Sequence, residues 1–177
     1  MTIIIVMPLI LAILAVMIYN SFMKSENKVK QAYSSIDIYL LQRFDLIPNL
    51  IECVKGYMVY EKETLKEMTE LRIKYLENKN LKDGEKLNNE CNQILVNGEN
   101  YSELKASEQF KILQKNLQKI ENQLQAARRI YNMEVNTYNN KINMFPTNII
   151  ASLCGFKEKE YFSAEVEAKE NLKVEID

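Results

Sequence analysis

Near its N-terminus the chain carries an apolar run long enough to cross a lipid bilayer. No polar residue interrupts the segment from Ile3 to Tyr19, IIIVMPLILAILAVMIY, and the first charged residue is Lys24. Extended to Met23, the run as a helix measures about 31 Å at about 1.5 Å per residue, which matches the roughly 30 Å hydrocarbon core of a bilayer. The sequence therefore predicts a transmembrane anchor over residues 1–23, in contact with the lipid bilayer from Ile3 to Met23.

A cleaved signal peptide is the alternative interpretation of this run. Such a peptide carries basic residues before its apolar segment and small residues at a cleavage site after it. Only Met1 and Thr2 precede the run, and the residues that follow, NSFMKSENK, contain no A-x-A pattern. No cysteine stands where a lipid-attachment motif would place it. We therefore expect the helix to be retained.

The lysines that flank the run predict its orientation. Lys24, Lys28 and Lys30 follow it, and no basic residue precedes it. Basic residues are enriched on the cytoplasmic side of membrane helices. We therefore expect a single-pass protein of a bacterial cell membrane, with its N-terminus outside and its C-terminal part in the cytoplasm.

The composition argues against several classes of function. The charges nearly cancel, with 23 basic and 24 acidic residues, whereas nucleic-acid binding needs a basic excess. There is no histidine, the commonest general base near neutral pH and the commonest metal ligand. Cys53, Cys91 and Cys154 have the spacing of neither a zinc site nor a disulfide framework. We expect no catalytic residue, metal, cofactor or nucleic-acid partner.

Long helices dominate the part of the chain that follows the anchor. Four glycines and three prolines are too few for a fold rich in sheets or loops. Apolar residues recur at steps of three and four, as in helices that bury one face. The four series begin at Val29, Leu50, Leu87 and Phe110. The predicted fold is all-α: an N-terminal transmembrane helix, an up-and-down antiparallel four-helix bundle with long helices, and a partly extended C-terminal tail.

Polar segments set the predicted boundaries. A short polar joint at residues 24–28 precedes the bundle at residues 29–156, and a tail covers residues 157–177. The polar stretch from Asn78 to Lys86, which contains Gly84, is typical of a turn. Ser102 or Ser107 is placed to cap the last long helix. In FPTNIIASLCGF we expect a short amphipathic helix that ends at Gly155, after which the tail lies extended on the bundle or is loosely ordered.

A proline interrupts the helical pattern of RFDLIPNLIECVKGY, Arg43 to Tyr57. Pro48 has no N–H and disfavours the helical conformation at Ile47. Either the first helix ends near Asp45 and Pro48 lies in the first turn of the next one, or one long helix bends at the proline. Acidic residues near the break suit a helix start, so we expect a tight reversal.

The same stretch, followed by YEKETL, resembles the signature of the LemA family of bacterial proteins. Two further segments resemble that family: NGENYSELKASEQF, Asn97 to Phe110, and ARRIYNMEVNTYNNKINMFPTNIIASLCGFKEKEYF, Ala127 to Phe162. The resemblance covers residues 27–176. It implies a membrane-anchored helical bundle without a known activity. Some members of the family take part in organising magnetosome membranes, and some neighbour membrane-protein quality-control proteases.

Ten residues of these family segments are candidates for a site, and a structural role is predicted for them. They are Arg43, Asp45, Pro48, Asn49, Glu52, Tyr131, Glu134, Phe145, Pro146 and Asn148. Asp45 and Asn49 suit the unpaired N–H groups of a helix start. Glu134 lies on the apolar stripe of the last helix, where a buried carboxylate needs a partner, and Arg43 or Arg72 is the expected one. The alternative is a ligand or partner site at the helix junction.

The absence of catalytic machinery favours a non-enzymatic adaptor or scaffold at the cytoplasmic face of the membrane. Its expected partners are unidentified membrane or cytoplasmic proteins, or a second copy of the chain. An alternative is an accessory or sensor subunit of a membrane enzyme such as a quality-control protease. A third hypothesis is a hydrolase that uses carboxylates such as Glu52 and Glu134.

Overall fold

The computed structural model describes residues 2–57 and 62–162, and their side chains at 6–57, 63–80 and 83–162. Within these ranges there are seven helices and no strand, so the predicted all-α class is confirmed. The helices are α1 (Thr2–Phe44), α2 (Ile47–Val54), α3 (Lys62–Asn78), α4 (Leu81–Gly98), α5 (Ser102–Ala106), α6 (Glu108–Asn143) and α7 (Thr147–Cys154). Of the predicted tail, residues 163–177 lie outside the described residues.

Helix α1 continues without a break from the apolar segment into the bundle. Residues 24–28, predicted as a short polar joint, are helical. They contain neither glycine nor proline, Glu26 lies 3.6 Å from Lys30 across one turn, and Ser25 is buried. The polar residues therefore mark where the apolar surface of the helix ends, while the helix itself goes on.

The chain divides into two compact units, and α1 and α6 contribute to each. Unit 1 consists of residues 1–33 and 128–177, and unit 2 of residues 34–127. Apolar side chains from α1, α2, α3, α4 and α6 form the core of unit 2. Fully buried members are Ile36, Leu40, Phe44, Ile47, Leu50, Met68, Tyr75, Leu87 and Leu117. Burying a large apolar side chain is worth about 1.5–3 kcal/mol, so this core is what fixes the positions of these helices within the unit.

Helices α1 and α3 are antiparallel, because residues further along α3 contact residues earlier in α1. Arg72 donates a hydrogen bond from Nε to the carbonyl of Phe44 at 2.9 Å. One turn further along α3, the Tyr75 hydroxyl donates to the carboxylate of Asp37, and Lys79 Nζ lies 3.8 Å from the same carboxylate. The chain therefore reverses direction between α1 and α3.

The reversal begins at a break before Pro48. Helix α1 ends at Phe44 and α2 begins at Ile47, with Pro48 in its first turn. The missing N–H costs nothing there, because the first N–H groups of a helix have no partner within it. The first of the two alternatives is therefore correct. Asp45 does not cap α2: its side chain is 70% exposed and lies 3.6 Å from Arg72.

The turn between α3 and α4 is much shorter than its polar sequence indicates. Only residues 79 and 80 separate the two helices, and Lys79 has a positive φ of 51°. Gly84 lies inside α4, where a Cβ atom would stand 2.7 Å from Cε2 of Tyr75. The turn predicted from Asn78 to Lys86 is therefore wrong in extent, and the glycine allows close packing of α4 against α3.

The third predicted helix is divided into α4 and α5, and the start of α6 is fixed beside them. Gly98 ends α4, and a Cβ atom there would stand 2.6 Å from the Phe110 ring. The hydroxyl of Ser107 accepts a hydrogen bond from the N–H of Phe110 at 3.4 Å. Ser107 is thus the residue that caps α6, which ends at Asn143 just before Pro146.

Unit 1 has a smaller core around the short helix α7. Its buried residues are Phe22, Val29, Val135, Tyr138 and Ala151. The predicted helix in this segment is confirmed: α7 ends at Gly155, whose φ of 72° is the left-handed conformation that favours glycine.

Candidate partner-binding cleft

In unit 2, an open cleft of about 620 Å³ lies between α2 and the first turns of α6. Its lining residues are Leu46, Asn49, Glu52, Cys53, Tyr57, Ser107, Gln109, Ile112, Leu113 and Asn116. Two of the predicted site residues, Asn49 and Glu52, are among them. The stretches RFDLIPNLIECVKGY and NGENYSELKASEQF, far apart in sequence, thus meet at this cleft.

The walls of the cleft combine apolar and amide surface. Leu46, Ile112 and Leu113 supply the apolar part, and Ile112 leaves more than half of its side chain exposed. Asn49 and Glu52 are exposed beside them. A large apolar side chain in water next to exposed polar groups is typical of a surface that binds another molecule.

The Cys53 thiol in the cleft is not activated. Burial raises the pKa of the Cys53 thiol above its ordinary value of 9.0, so the group is protonated near neutral pH and a poor nucleophile. Among the side chains that the structure describes, no group of three or more histidine, cysteine, aspartate or glutamate residues is placed to hold a metal ion. The cleft is therefore suited to binding through packing and hydrogen bonds.

A buried ion pair supports the helices that form the cleft. Arg43, at the end of α1, is 1% exposed; its guanidinium pairs with the Glu121 carboxylate on α6 and donates to the Asn92 amide oxygen on α4. Arg43 therefore pairs with Glu121, and Arg72 with Asp45, in place of the predicted pairing with Glu134. Because removing one partner leaves the other charge buried and unpaired, this pair fixes how α1, α4 and α6 meet.

Sequence reasoning missed Glu121, although one signal was present. Glu121 lies four residues after Leu117 and three before Leu124, both fully buried, so it occupies a core position of α6. A charged residue at such a position needs a buried partner of opposite charge.

The other predicted site residues belong to unit 1. Glu134 is half-buried on α6, and the Tyr131 hydroxyl donates to the carbonyl of Glu160 at 3.1 Å. Phe145, Pro146 and Asn148 are exposed where the chain passes from α6 to α7.

A row of asparagines on α6 is a feature of unit 1 that the sequence pattern did not reveal. Its members are Asn132, Asn136, Asn139 and Asn143, at steps of four, three and four. Asn139 accepts from the N–H of Lys159 at 2.9 Å and donates to its carbonyl at 2.8 Å. Asn132 does the same with Phe162, at 2.7 and 2.8 Å. Each of these amides pairs with both main-chain groups of one tail residue.

The spacing of these pairs follows from chain geometry. Seven residues of helix rise about 10.5 Å, and three extended residues span about 10 Å. Asn132 and Asn139 are therefore in register with Phe162 and Lys159. The described part of the tail, residues 157–162, is extended along α6, which agrees with the first of the two alternatives for that part, and it is held mainly through its main chain.

A model of the LemA family matches residues 32–176. The protein LemA of Metamycoplasma hominis is 27% identical over 164 residues, which cover 89% of this chain and 73% of that protein. The magnetosome proteins MamQ 1 and MamQ 2 of Paramagnetospirillum magneticum are each 30% identical over 74 residues. Those alignments cover 42% of this chain and 27% of each magnetosome protein.

Proposed function

This chain belongs to the LemA family, and on that premise we propose that it is a membrane-anchored, non-enzymatic adaptor whose bundle recruits other proteins at the cytoplasmic face. One observation carries the proposal. Helix α1 leaves its apolar first part uncovered and buries its second part in a helical bundle. The same helix thus supplies an apolar surface suited to a membrane and part of the folded core.

The uncovered part of α1 supports the anchor. It is the one helix of the described residues that is long and apolar enough to cross a membrane. Its exposed large side chains are Val6, Met7, Leu9, Ile10, Leu11, Ile13, Leu14, Val16 and Met17. Each Å² of apolar surface left in water costs about 25 cal/mol, and a bilayer removes that cost along the whole segment.

The cleft of unit 2 supports the adaptor role. Its exposed apolar residue Ile112 suits an apolar side chain of a partner, and Asn49 and Glu52 suit hydrogen-bond donors around it. Nothing in this arrangement requires the partner to be chemically altered.

Crosslinking from intact membranes tests the adaptor role with a matched pair of variants. Ile112→Glu places a charge in the cleft, and Ile73→Glu places one at a similarly exposed position of α3 that does not line it. We expect protein partners crosslinked to the wild-type chain to be lost with Ile112→Glu and retained with Ile73→Glu. Recovery of the chain without any partner would contradict the proposal, as would the same partners with both variants.

The cytoplasmic orientation is supported by Lys24, Lys28 and Lys30, which follow the apolar segment. Alkaline phosphatase fused after Asp177 tests it, because that enzyme is active only outside the cytoplasm. We expect an inactive fusion; a strongly active one would place the bundle outside.

A further inference from the structure

Helix α7 packs against the last part of the apolar span. The Phe156 ring, just after α7, stacks on Phe22 with ring centroids 4.8 Å apart and lies 5.8 Å from the Tyr19 ring. Beside it, Lys141 Nζ donates to the carbonyl of Ser21 at 3.2 Å. These contacts place α7 next to α1 at the level of residues 19–22.

Residues 19–22 of α1 still belong to the apolar segment that we propose to span the membrane. The apolar span reaches Met23, and Lys24 is the first charged residue after it. On α1, Ile18 is half-buried against the core of unit 1, and Phe22 is fully buried within it. The six residues from Ile18 to Met23, about 9 Å of helix, therefore lie in the apolar span and include side chains of the unit 1 core.

The segment around α7 has the composition of a membrane contact. No charged residue occurs between Lys141 and Lys157. Its exposed large apolar side chains are Met144, Phe145, Ile149 and Leu153, of which Phe145 and Leu153 are 79% and 78% exposed. A patch of this kind on a folded unit marks a surface that meets an apolar partner.

We infer that α7 and the residues before it lie in the interfacial layer of the bilayer that α1 crosses, with Phe145, Ile149 and Leu153 inserted at the level of the upper acyl chains. The inference rests on the membrane anchor of the proposed function. A short helix with one apolar face lies in the plane of the interface and buries that face there. The chain then holds the membrane by a spanning helix and by a shallow second contact.

The charges around α7 fit this depth. Lys141 reaches the Ser21 carbonyl, three residues before Lys24. Burial lowers the pKa of Lys141, and the charges of Lys28 and Lys24 lower it further while Glu134 opposes them. A cluster of lysines directly beside the apolar patch suits anionic lipid headgroups.

Tryptophan fluorescence tests the depth of α7, because the chain contains no tryptophan. Three single-tryptophan variants of the full chain are compared: Leu153→Trp in the proposed contact, Leu14→Trp in the span, and Met133→Trp on the exposed side of α6. All three side chains are exposed, so folding is preserved. Each variant is reconstituted into phosphatidylcholine–phosphatidylglycerol vesicles whose acyl chains are brominated near the headgroup or near the chain ends.

We expect Leu153→Trp to lose most of its fluorescence to bromines near the headgroup and little to deep ones. Leu14→Trp should be quenched most by deep bromines, and Met133→Trp by neither. If Leu153→Trp behaves like Met133→Trp while Leu14→Trp is quenched, the anchor stands and the inference about α7 is wrong. If Leu14→Trp is not quenched either, the anchor itself fails, and the inference fails with it.

Discussion

At the scale of single residues, the pair of Arg43 and Glu121 shows how far sequence reasoning extends. A structural role for Arg43 was predictable, because a charged residue at the end of an apolar stripe needs a partner. The partner was not predictable, because periodicity assigns a residue to a face of its own helix and does not say which residue of another helix meets it. Glu134 and Glu121 satisfy the pattern of α6 equally well, and only packing distinguishes them.

Glu121→Ala should lower the free energy of unfolding by about 3–5 kcal/mol, because it leaves the Arg43 guanidinium buried without its carboxylate. Asp45→Ala is the control: it removes an exposed pair with Arg72, worth about 0–1 kcal/mol. Chemical unfolding of the detergent-solubilised chain, followed by circular dichroism, measures both. Equal effects of the two substitutions would show that the buried pair contributes no more than the exposed one.

Gly84→Ala should destabilise the chain by about 1–3 kcal/mol, although alanine normally stabilises a helix. The added Cβ would meet the Tyr75 ring at 2.7 Å, and that ring is held by its bond to Asp37 and by an edge-to-face contact with Phe44. Gly56→Ala is the matched control, since nothing lies within 4 Å of its Cβ position. Thermal unfolding compares them; an unchanged melting temperature for Gly84→Ala would mean that Tyr75 moves freely.

At the scale of elements, long periodic helices were predictable and their joints were not. The stripe of α6 predicted a helix that starts at its serine cap and ends before Pro146, as observed. The stretch from Asn78 to Lys86 looks like a turn because it is polar and contains Gly84, yet most of it is helical. Composition alone cannot separate a glycine needed for a turn from one needed for close packing.

The asparagines of α6 give a prediction about the tail. Asn139→Ala removes two hydrogen bonds to the main chain of Lys159, each worth about 0.5–1.5 kcal/mol. We expect faster tryptic cleavage after Lys157 and Lys159. Asn140→Ala, at an exposed neighbouring position, is the control; if the two variants are cleaved at the same rate, these bonds do not hold the tail.

The ion pair between the tail and α1 predicts a pH dependence. The hydrogen bond that Lys159 donates to Glu26 at 3.1 Å is the main cause that lowers the pKa of Glu26 below its ordinary 4.5; burial opposes it, and the charges of Lys159 and Lys30 add to it. A carboxylate with a lowered pKa in the folded state contributes stability above its ordinary pKa, and that contribution is lost as the pH falls through the lowered value.

Amide hydrogen exchange in residues 157–162, corrected for the intrinsic effect of pH, measures this loss. We expect protection to decrease as the pH falls below 4.5 in the wild-type chain. Glu26→Gln should show lower protection at neutral pH and a flatter profile below it. If the pH profile of that variant matches the wild-type profile, the ion pair between Lys159 and Glu26 does not stabilise the docking of the tail.

At the scale of the whole molecule, the sequence located the anchor by its charges, whereas the structure shows where packing begins. The charge boundary lies between Met23 and Lys24, and among the described side chains of α1 the first fully buried one is Phe22. The end of the apolar segment therefore belongs to the core of unit 1 and also to the anchor that we propose. Charge patterning cannot reveal this, because lipid and a protein core select the same side chains.

Two truncations distinguish the charge boundary at Lys24 from the start of the folded core at Phe22. Removing residues 1–17 deletes most of the uncovered apolar surface and keeps Phe22 in the core with Tyr138 and Phe156. Removing residues 1–23 also deletes Phe22, whose loss from a core costs about 3–5 kcal/mol. Compared in the same detergent by thermal unfolding, the longer deletion should melt at a clearly lower temperature. Equal melting temperatures would show that Phe22 does not stabilise the core of unit 1 and that the folded part of the chain begins at the charge boundary.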